Sequence, residues 1–223
     1  MRAAALIPAF NEASSIAQVV RGLQHSLSQV FVVDDGSSDG TAEKAREAGA
    51  TVIELASNTG KGSAIRAGLE RVLQDEFTHI VLLDGDMQHL PQEASRLLDA
   101  ARLTGADLVL GERQFSKDRM PTSRYYANRL GSAVLSWFVG ANVTDTQCGF
   151  RVFRTDALRR LRLTACGYEI ETEMLIKVRR RSGLVTSVPV TAVYTGQISK
   201  LRPIRDTTRT CFLAVYYRFL ERS

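Results

Sequence analysis

Residues 79–89 read HIVLLDGDMQH: four apolar residues, Ile80 to Leu83, stop at Asp84, and a second carboxylate, Asp86, follows two residues later. A short apolar run bounded by turn residues reads as a buried strand. An unpaired charge at its end would be expensive, so the two acids need partners. A general acid–base pair, a helix N-cap and a metal site all use such carboxylates. A hard divalent cation, Mg²⁺ or Mn²⁺, meets the need most directly, since it takes one or two carboxylates together with substrate phosphates and water.

Outward from this stretch, apolar runs alternate with helical patterns. AALIPA is followed by a helical pattern over 14–26, VFVVDD by one over 41–48, and TVIEL by one over 61–73. HIVLLD is followed by 91–103 and then by DLVLG. Such alternation predicts a mostly parallel, twisted α/β sheet flanked by helices, whose ligands collect at the carboxyl ends of the strands. Those ends carry Pro8, Asn11 and Glu12, then Asp34 and Asp35, then the turn Asn58-Thr59-Gly60-Lys61-Gly62, then Asp84 and Asp86. Beyond Gly111 the pattern is less regular. Helices are expected over 124–139, 155–161 and 169–181, and VTSVPVTAVY reads as a strand that Pro189 assigns to a sheet edge. The stretch 206–220 is helical and aromatic.

The 223 residues, 44% hydrophobic and 24% charged, suit one globular domain without low-complexity segments. Three cysteines with no CxxC pair suggest neither a disulfide framework nor a zinc site, and a reducing cytosol is expected. Pro8 and Asn11-Glu12 make the start a poor signal peptide, and no apolar run approaches the roughly 20 residues that span a bilayer. Charge is uneven: residues 1–111 carry 9 Lys/Arg against 15 Asp/Glu, a net −6, and residues 112–223 carry 20 against 9, a net +11. A basic second half suggests an anionic partner: phosphate groups, an acidic membrane surface or nucleic acid. No nucleic-acid-binding module is recognisable, however, and no nucleic-acid partner is expected.

Two nucleotide-binding loops are excluded. The dinucleotide fingerprint requires GxGxxG after the first strand, where this chain has PAFNEA. The P-loop requires GxxxxGK[ST], but Gly62 follows Gly60-Lys61 and Leu55 stands at the place of the first glycine.

PAFNE, VVDDGSSDGT, NTGKGSAIRAG, LDGDMQHLPQ, LVLGER and DTQCGFRVF occur in the order and approximate spacing of the inverting family 2 glycosyltransferases of GT-A type. The DGDMQH and DTQCGFRVF stretches are most similar to the branch that makes dolichyl- or polyprenyl-phosphate mannose and glucose. The resemblance covers roughly residues 3 to 160. It implies a hexosyltransferase using a UDP- or GDP-linked sugar and Mg²⁺ or Mn²⁺. Pro8, Asn11, Glu12, Asp34, Asp35 and Lys61 would bind the nucleotide, with Gly85 and Arg113 near the sugar diphosphate. Asp84 and Asp86 would hold the metal, with Gln88 as an additional ligand. Asp86, Asp145 and Arg151 would be catalytic, and Arg151 would also meet an acceptor phosphate with Lys200, Arg202 and Arg205.

The chain is expected to form a single GT-A domain, 1–223, with a nucleotide-sugar-binding half (1–111), an acceptor-side half (112–204) and a C-terminal amphipathic helix (205–223) whose apolar and basic residues suit either a membrane interface or packing on the domain. Several residues have plainer readings. Asp39 and Thr41 suit a helix cap, Lys61 a solvated first-turn lysine, Arg113 and Arg151 structural ion pairs, and Asp145 a turn. Glu171 and Glu173 in GYEIETE read as a solvated helix face. An acceptor hydroxyl would need a base such as Asp145 or Glu171, whereas a phosphate monoester is already anionic. The partners expected are therefore a nucleotide sugar, polyprenyl phosphate and the cytoplasmic membrane surface.

Overall fold

The computed structural model describes residues 1–113, 145–146, 148–193, 213 and 216–217. Strands β1 (Ala3–Ala9), β2 (Gln29–Asp34), β3 (Thr51–Glu54) and β4 (His79–Leu82) pair in parallel in the order β3-β2-β1-β4. Beyond β4 the sheet continues through β6 (Arg151–Arg154), β5 (Leu108–Arg113) and β7 (Val185–Val190). β6 runs antiparallel to both β4 and β5, and β5 and β7 are parallel. The helices are α1 (Ile16–Gln24), α2 (Thr41–Glu47), α3 (Lys61–Val72), α4 (Ala94–Thr104), α5 (Thr155–Arg159) and α6 (Ile170–Arg180). A 3₁₀ turn, Pro91–Glu93, leads into α4.

Strand alternation divides the core in two, because successive side chains point to opposite faces. Leu6, Phe31, Val33, Ile80, Leu82 and Phe153 face one layer, in which Ile65 and Leu69 of α3 and Met174 and Leu175 of α6 are buried. Ile7, Val32, Val81, Leu83, Val109 and Val152 face the other, covered by Val19 and Leu23 of α1, Ala45 of α2 and Leu97 and Ala101 of α4. β7 lies at the sheet edge, as Pro189 requires of a strand that cannot donate there.

Two sequence expectations are corrected. β6 was not anticipated: four residues with arginine at both ends carry too little alternation to read as a strand, and its partners β4 and β5 supply the pattern. The glutamates of GYEIETE are not a solvated face; Glu171 is 7% exposed and Glu173 fully buried. The Glu173 carboxylate accepts the backbone N–H groups of Thr164 (3.0 Å) and Ala165 (2.9 Å), the Thr164 hydroxyl (2.9 Å), Lys177 Nζ (2.8 Å) and the Tyr217 hydroxyl (2.7 Å). Of the expected C-terminal helix, Leu213, Tyr216 and Tyr217 fall within the described residues. Leu213 packs against the core and Tyr217 is buried on it, beneath Lys177, whose Nζ is 4.8 Å from the ring. Tyr216 is exposed. The helix expected over 124–139 and the cations Lys200, Arg202 and Arg205 lie outside the described residues. Among the described residues, no helix is long and apolar enough to cross a membrane.

Burial by itself would raise the Glu173 carboxyl above its ordinary value of 4.5, but the bonds from Lys177, Tyr217 and Ala165 prevail and lower it. A carboxylate with a lowered folded value stabilises the fold above the unfolded value and loses that contribution as pH falls through the folded one. Glu173→Gln should therefore cost about 3 kcal/mol near neutral pH, since it unbalances a buried ion pair. In urea denaturation the gap from wild type should narrow as pH drops below 4.5.

Candidate active site

The carboxyl ends of β1, β2 and β4 bring three loops together, and backbone-to-side-chain bonds stitch them. Asn11 N–H donates to Ser37 Oγ (2.8 Å) and Ser38 N–H to Asn11 Oδ1 (3.0 Å). Glu12 N–H donates to Thr41 Oγ1 (2.8 Å), and Ala13 N–H to Asp39 Oδ2 (3.0 Å). Asp39 and Thr41 thus join the loops after β1 and β2; Gly40, not a side chain, occupies the cap of α2, although Asp39 Oδ1 does receive the Thr41 N–H at 3.1 Å. Asn11 adopts φ 51°, a left-handed conformation that asparagine tolerates better than most residues. Ser15 Oγ donates to the Gly85 carbonyl (2.7 Å), fixing the acidic turn against α1.

Asp34 and Asp35, expected at the nucleotide, are both buried. Asp34 accepts the Ser37 hydroxyl. Asp35 accepts Thr59 N–H (2.8 Å), the Thr59 hydroxyl (2.9 Å) and Gly60 N–H (2.8 Å), which pins the loop before α3 to the end of β2. The glycine-rich turn is not an open phosphate cradle either. The Cys166 carbonyl accepts Gly62 N–H (2.8 Å) and Ser63 N–H (3.2 Å), satisfying first-turn donors of α3 that a helix otherwise leaves orphaned. A Cβ at Gly60, whose φ is +98°, would lie 2.5 Å from that carbonyl, so only glycine admits this approach.

Lys61 is the first residue of α3, and its ammonium is neither solvated nor free. Nζ lies 2.6 Å from Asp84 Oδ1 and 2.5 Å from Glu171 Oε1, with the Tyr168 ring centroid at 5.5 Å. Burial would lower its pKa, but the two carboxylates outweigh burial and raise it. Asp84 shifts down in turn: burial opposes its charge, and Lys61 overcomes that. Asp86 moves the other way. Burial first, then the charges of Asp84 and Glu12, push it up to about 6 despite the Gln88 N–H that Oδ1 accepts at 2.9 Å. Asp86 thus stands in the field of Asp84 and Glu12, while Asp84 shares the Lys61 ammonium with Glu171. That is an electrostatic demand for a cation, made by oxygen donors that suit Mg²⁺ or Mn²⁺. Among the described residues no three acidic, histidine or cysteine side chains converge as a ready-made cage, so a cation here would need further ligands such as substrate phosphates. The residues therefore fit such a metal.

Pro8, Lys61, Asp84, Gly149, Arg151 and Glu171 line a small cavity here. Arg151 does not reach out to an acceptor phosphate. It is fully buried, and its guanidinium donates to the carbonyls of Cys148 (2.8 Å), Glu171 (2.5 Å) and Thr146 (2.7 Å). The expected ligand contact is replaced by a framework role. Arg113 and Asp145 meet each other: Nε to Oδ2 at 2.6 Å and Nη2 to Oδ1 at 2.9 Å, a bidentate pair. Asp145 thus faces a guanidinium rather than an open acceptor. The Gln88 backbone carbonyl accepts Val193 N–H (2.9 Å), which ties the chain after β7 to the acidic turn. Beside it, His89 is buried against Phe150 and held neutral, its pKa lowered to about 4 by burial and then by Arg113.

These features sit on a fold and a set of motifs with clear relatives. The model of the family "Glycosyl transferase family 2" matches residues 4–162. The chain belongs to that family and is a glycosyltransferase. It is 34% identical over 206 residues to the undecaprenyl-phosphate mannosyltransferase of Micrococcus luteus, covering 86% of this chain and 84% of that one. It is also 34% identical over 221 residues to glycosyltransferase AglJ of Haloferax volcanii, covering 96% and 70%. Among solved structures, the glucosyl-3-phosphoglycerate synthase of Mycobacterium tuberculosis, crystallised with Mn²⁺, UDP-glucose and glycerol 3-phosphate, superposes with TM-score 0.77. At 23% identity, covering 100% of this chain and 82% of that one, it shows the GT-A-like fold.

The sequence offered Glu171 only as a solvated residue or an alternative base, its pairing with Lys61 hidden by helix-face spacing, and Gly149 was missed. A Cβ at Gly149 would lie 2.3 Å from Asp84 Oδ2 and 3.2 Å from Glu171 Oε1. Its place inside CGFR was the available signal. Gly149→Ala should leave the melting temperature within a few degrees of wild type, because a side-chain end can yield. Sugar-transfer kcat/KM should nonetheless fall about a hundredfold, the cost of a roughly 1 Å misplacement of a reacting group.

Proposed function

We propose that this glycosyltransferase moves a hexose from a UDP- or GDP-linked sugar to a polyprenyl or dolichyl phosphate at the cytoplasmic membrane surface, with inversion at the anomeric carbon. The observation that carries the reading is the Asp84–Asp86 pair at the end of β4. One acid is matched by Lys61, and the other is raised to about 6 by burial and then by the charges of Asp84 and Glu12, a cost that a bound cation would relieve. Asp84 and Asp86, with Gln88, would hold Mg²⁺ or Mn²⁺. That ion would neutralise charge on the departing nucleoside diphosphate.

The remaining roles belong to the chain. Pro8, Asn11 and Glu12 form the nucleotide edge, and Asp34 and Asp35 brace it from beneath. Arg113, oriented by Asp145, faces the sugar diphosphate. The acceptor reading is supported by the names of the relatives, one an undecaprenyl-phosphate mannosyltransferase and another, 30% identical, a polyprenol monophosphomannose synthase of Mycolicibacterium smegmatis. It is supported also by the basic second half. A phosphate monoester, with a second pKa of about 6, needs no base to remove a proton. This agrees with Asp145 and Glu171, the two acids a hydroxyl acceptor would call upon, being engaged by Arg113 and Lys61. Lys200, Arg202 and Arg205 are proposed to receive the acceptor phosphate.

With a screened nucleotide sugar and Mn²⁺, undecaprenyl phosphate should accept the sugar and undecaprenol should not. Asp86→Asn should reduce transfer by about a hundredfold or more, a typical loss when transition-state charge goes unmatched. Arg202→Ala should raise the acceptor KM while leaving nucleotide affinity unchanged. Equal transfer to the alcohol would return the reaction to a hydroxyl-acceptor transferase.

A further inference from the structure

We propose that Glu171 is a positioning residue of this site: it shares the Lys61 ammonium with Asp84 and so leaves Asp84 incompletely neutralised, available to a divalent cation. The inference rests on the reading of Asp84 as a cation ligand.

An ammonium is a compact point charge with three donors. Lys61 Nζ divides itself between Asp84 Oδ1 at 2.6 Å and Glu171 Oε1 at 2.5 Å. Two carboxylates about one ammonium leave a net negative charge beside Asp86. Without the Glu171 charge, Lys61 would neutralise Asp84 alone, and an arriving cation would meet a fully matched ion pair rather than a shared one.

The fold rather than a substrate holds Glu171 in place. Its side chain is buried, its carbonyl accepts Arg151 Nη1 at 2.5 Å, and the first turn of α6 carries it. The missing Cβ of Gly149 leaves room for both carboxylates, since that atom would approach Asp84 Oδ2 to 2.3 Å and Glu171 Oε1 to 3.2 Å. Glu171 therefore acts on Asp84 through Lys61, 110 residues away in sequence.

The test is a double-mutant cycle read by Mn²⁺ alone, titrated into the full chain and followed by the electron paramagnetic resonance of the free ion. It requires neither sugar nor acceptor. Glu171→Gln should weaken Mn²⁺ binding about tenfold, and the same change in a Lys61→Met background should have an effect of less than about twofold, a coupling within the range of contacting residues. Glu171→Asp, which keeps the charge, should recover most of the affinity. An equal loss in both backgrounds would mean that Glu171 acts on the ion directly and would overturn the proposal, as would no loss in either. So would a Glu171→Asp variant as weak as Glu171→Gln. If the wild-type chain binds Mn²⁺ and the cycle shows no coupling, this inference alone fails. If the wild-type chain binds Mn²⁺ only with UDP or GDP added, the same cycle is read in the presence of that nucleotide; if it binds Mn²⁺ neither alone nor with either nucleotide, the metal reading of the site fails and takes this inference with it.

Discussion

The buried guanidinium of Arg151 is the constraint on which the site depends. A charge taken wholly out of water costs several kcal/mol unless it is fully solvated by the protein, and here backbone carbonyls take the place of water. Those carbonyls belong to Thr146, Cys148 and Glu171, so one cation fixes the entry to β6 and the first turn of α6 against each other. Arg151 also stands opposite Leu82, the last residue of β4, in the sheet register. The reversal of strand direction at β6 therefore presents Gly149 and Glu171 to the acids that follow β4.

From that anchor the site is built by successive ionic matches. Glu171 holds Lys61, Lys61 holds Asp84, and Asp86 is left in the field of its neighbours with its pKa raised. Polar bonds fix the loops above. Asp35 holds the turn before α3, Ser15 holds the Gly85 carbonyl, and Asp39 and Thr41 join the ends of β1 and β2. Residues that a motif associates with ligand binding here divide into two groups. Pro8, Lys61 and Asp84 line the cavity beside Arg151, while Asp35 holds the loop before α3. Such division is expected where a site must be accurate to fractions of an ångström, because the groups that touch substrate are positioned by groups that do not.

The parallel half of the sheet was legible because each of its elements carries its own signal. The apolar runs of β1, β2 and β4 and the helical spacing of α1, α3 and α4 agree with the structure to within a few residues at either end. β6 was not legible, since RVFR has no pattern of its own and becomes a strand only between β4 and β5. Glu173 was misread for a related reason. Helical spacing placed it among charges, and only the return of the 164–165 segment and of Tyr217 over α6 supplies the five donors that allow a carboxylate to be buried there.

What the sequence determined by itself was the alternation of strand and helix, the edge position of β7 through Pro189, and the collection of acids at the strand ends. Periodicity, proline chemistry and the cost of a charge at the end of an apolar run act within a few residues, so they can be read locally. What only the tertiary structure decided was the partner of each charge. Lys61 meets Glu171 across 110 positions, and Arg113 meets Asp145 across 32. Electrostatic matching depends on distance in space, and that distance is set by the sheet order and the reversal at β6, neither of which leaves a trace in the spacing of residues along the chain.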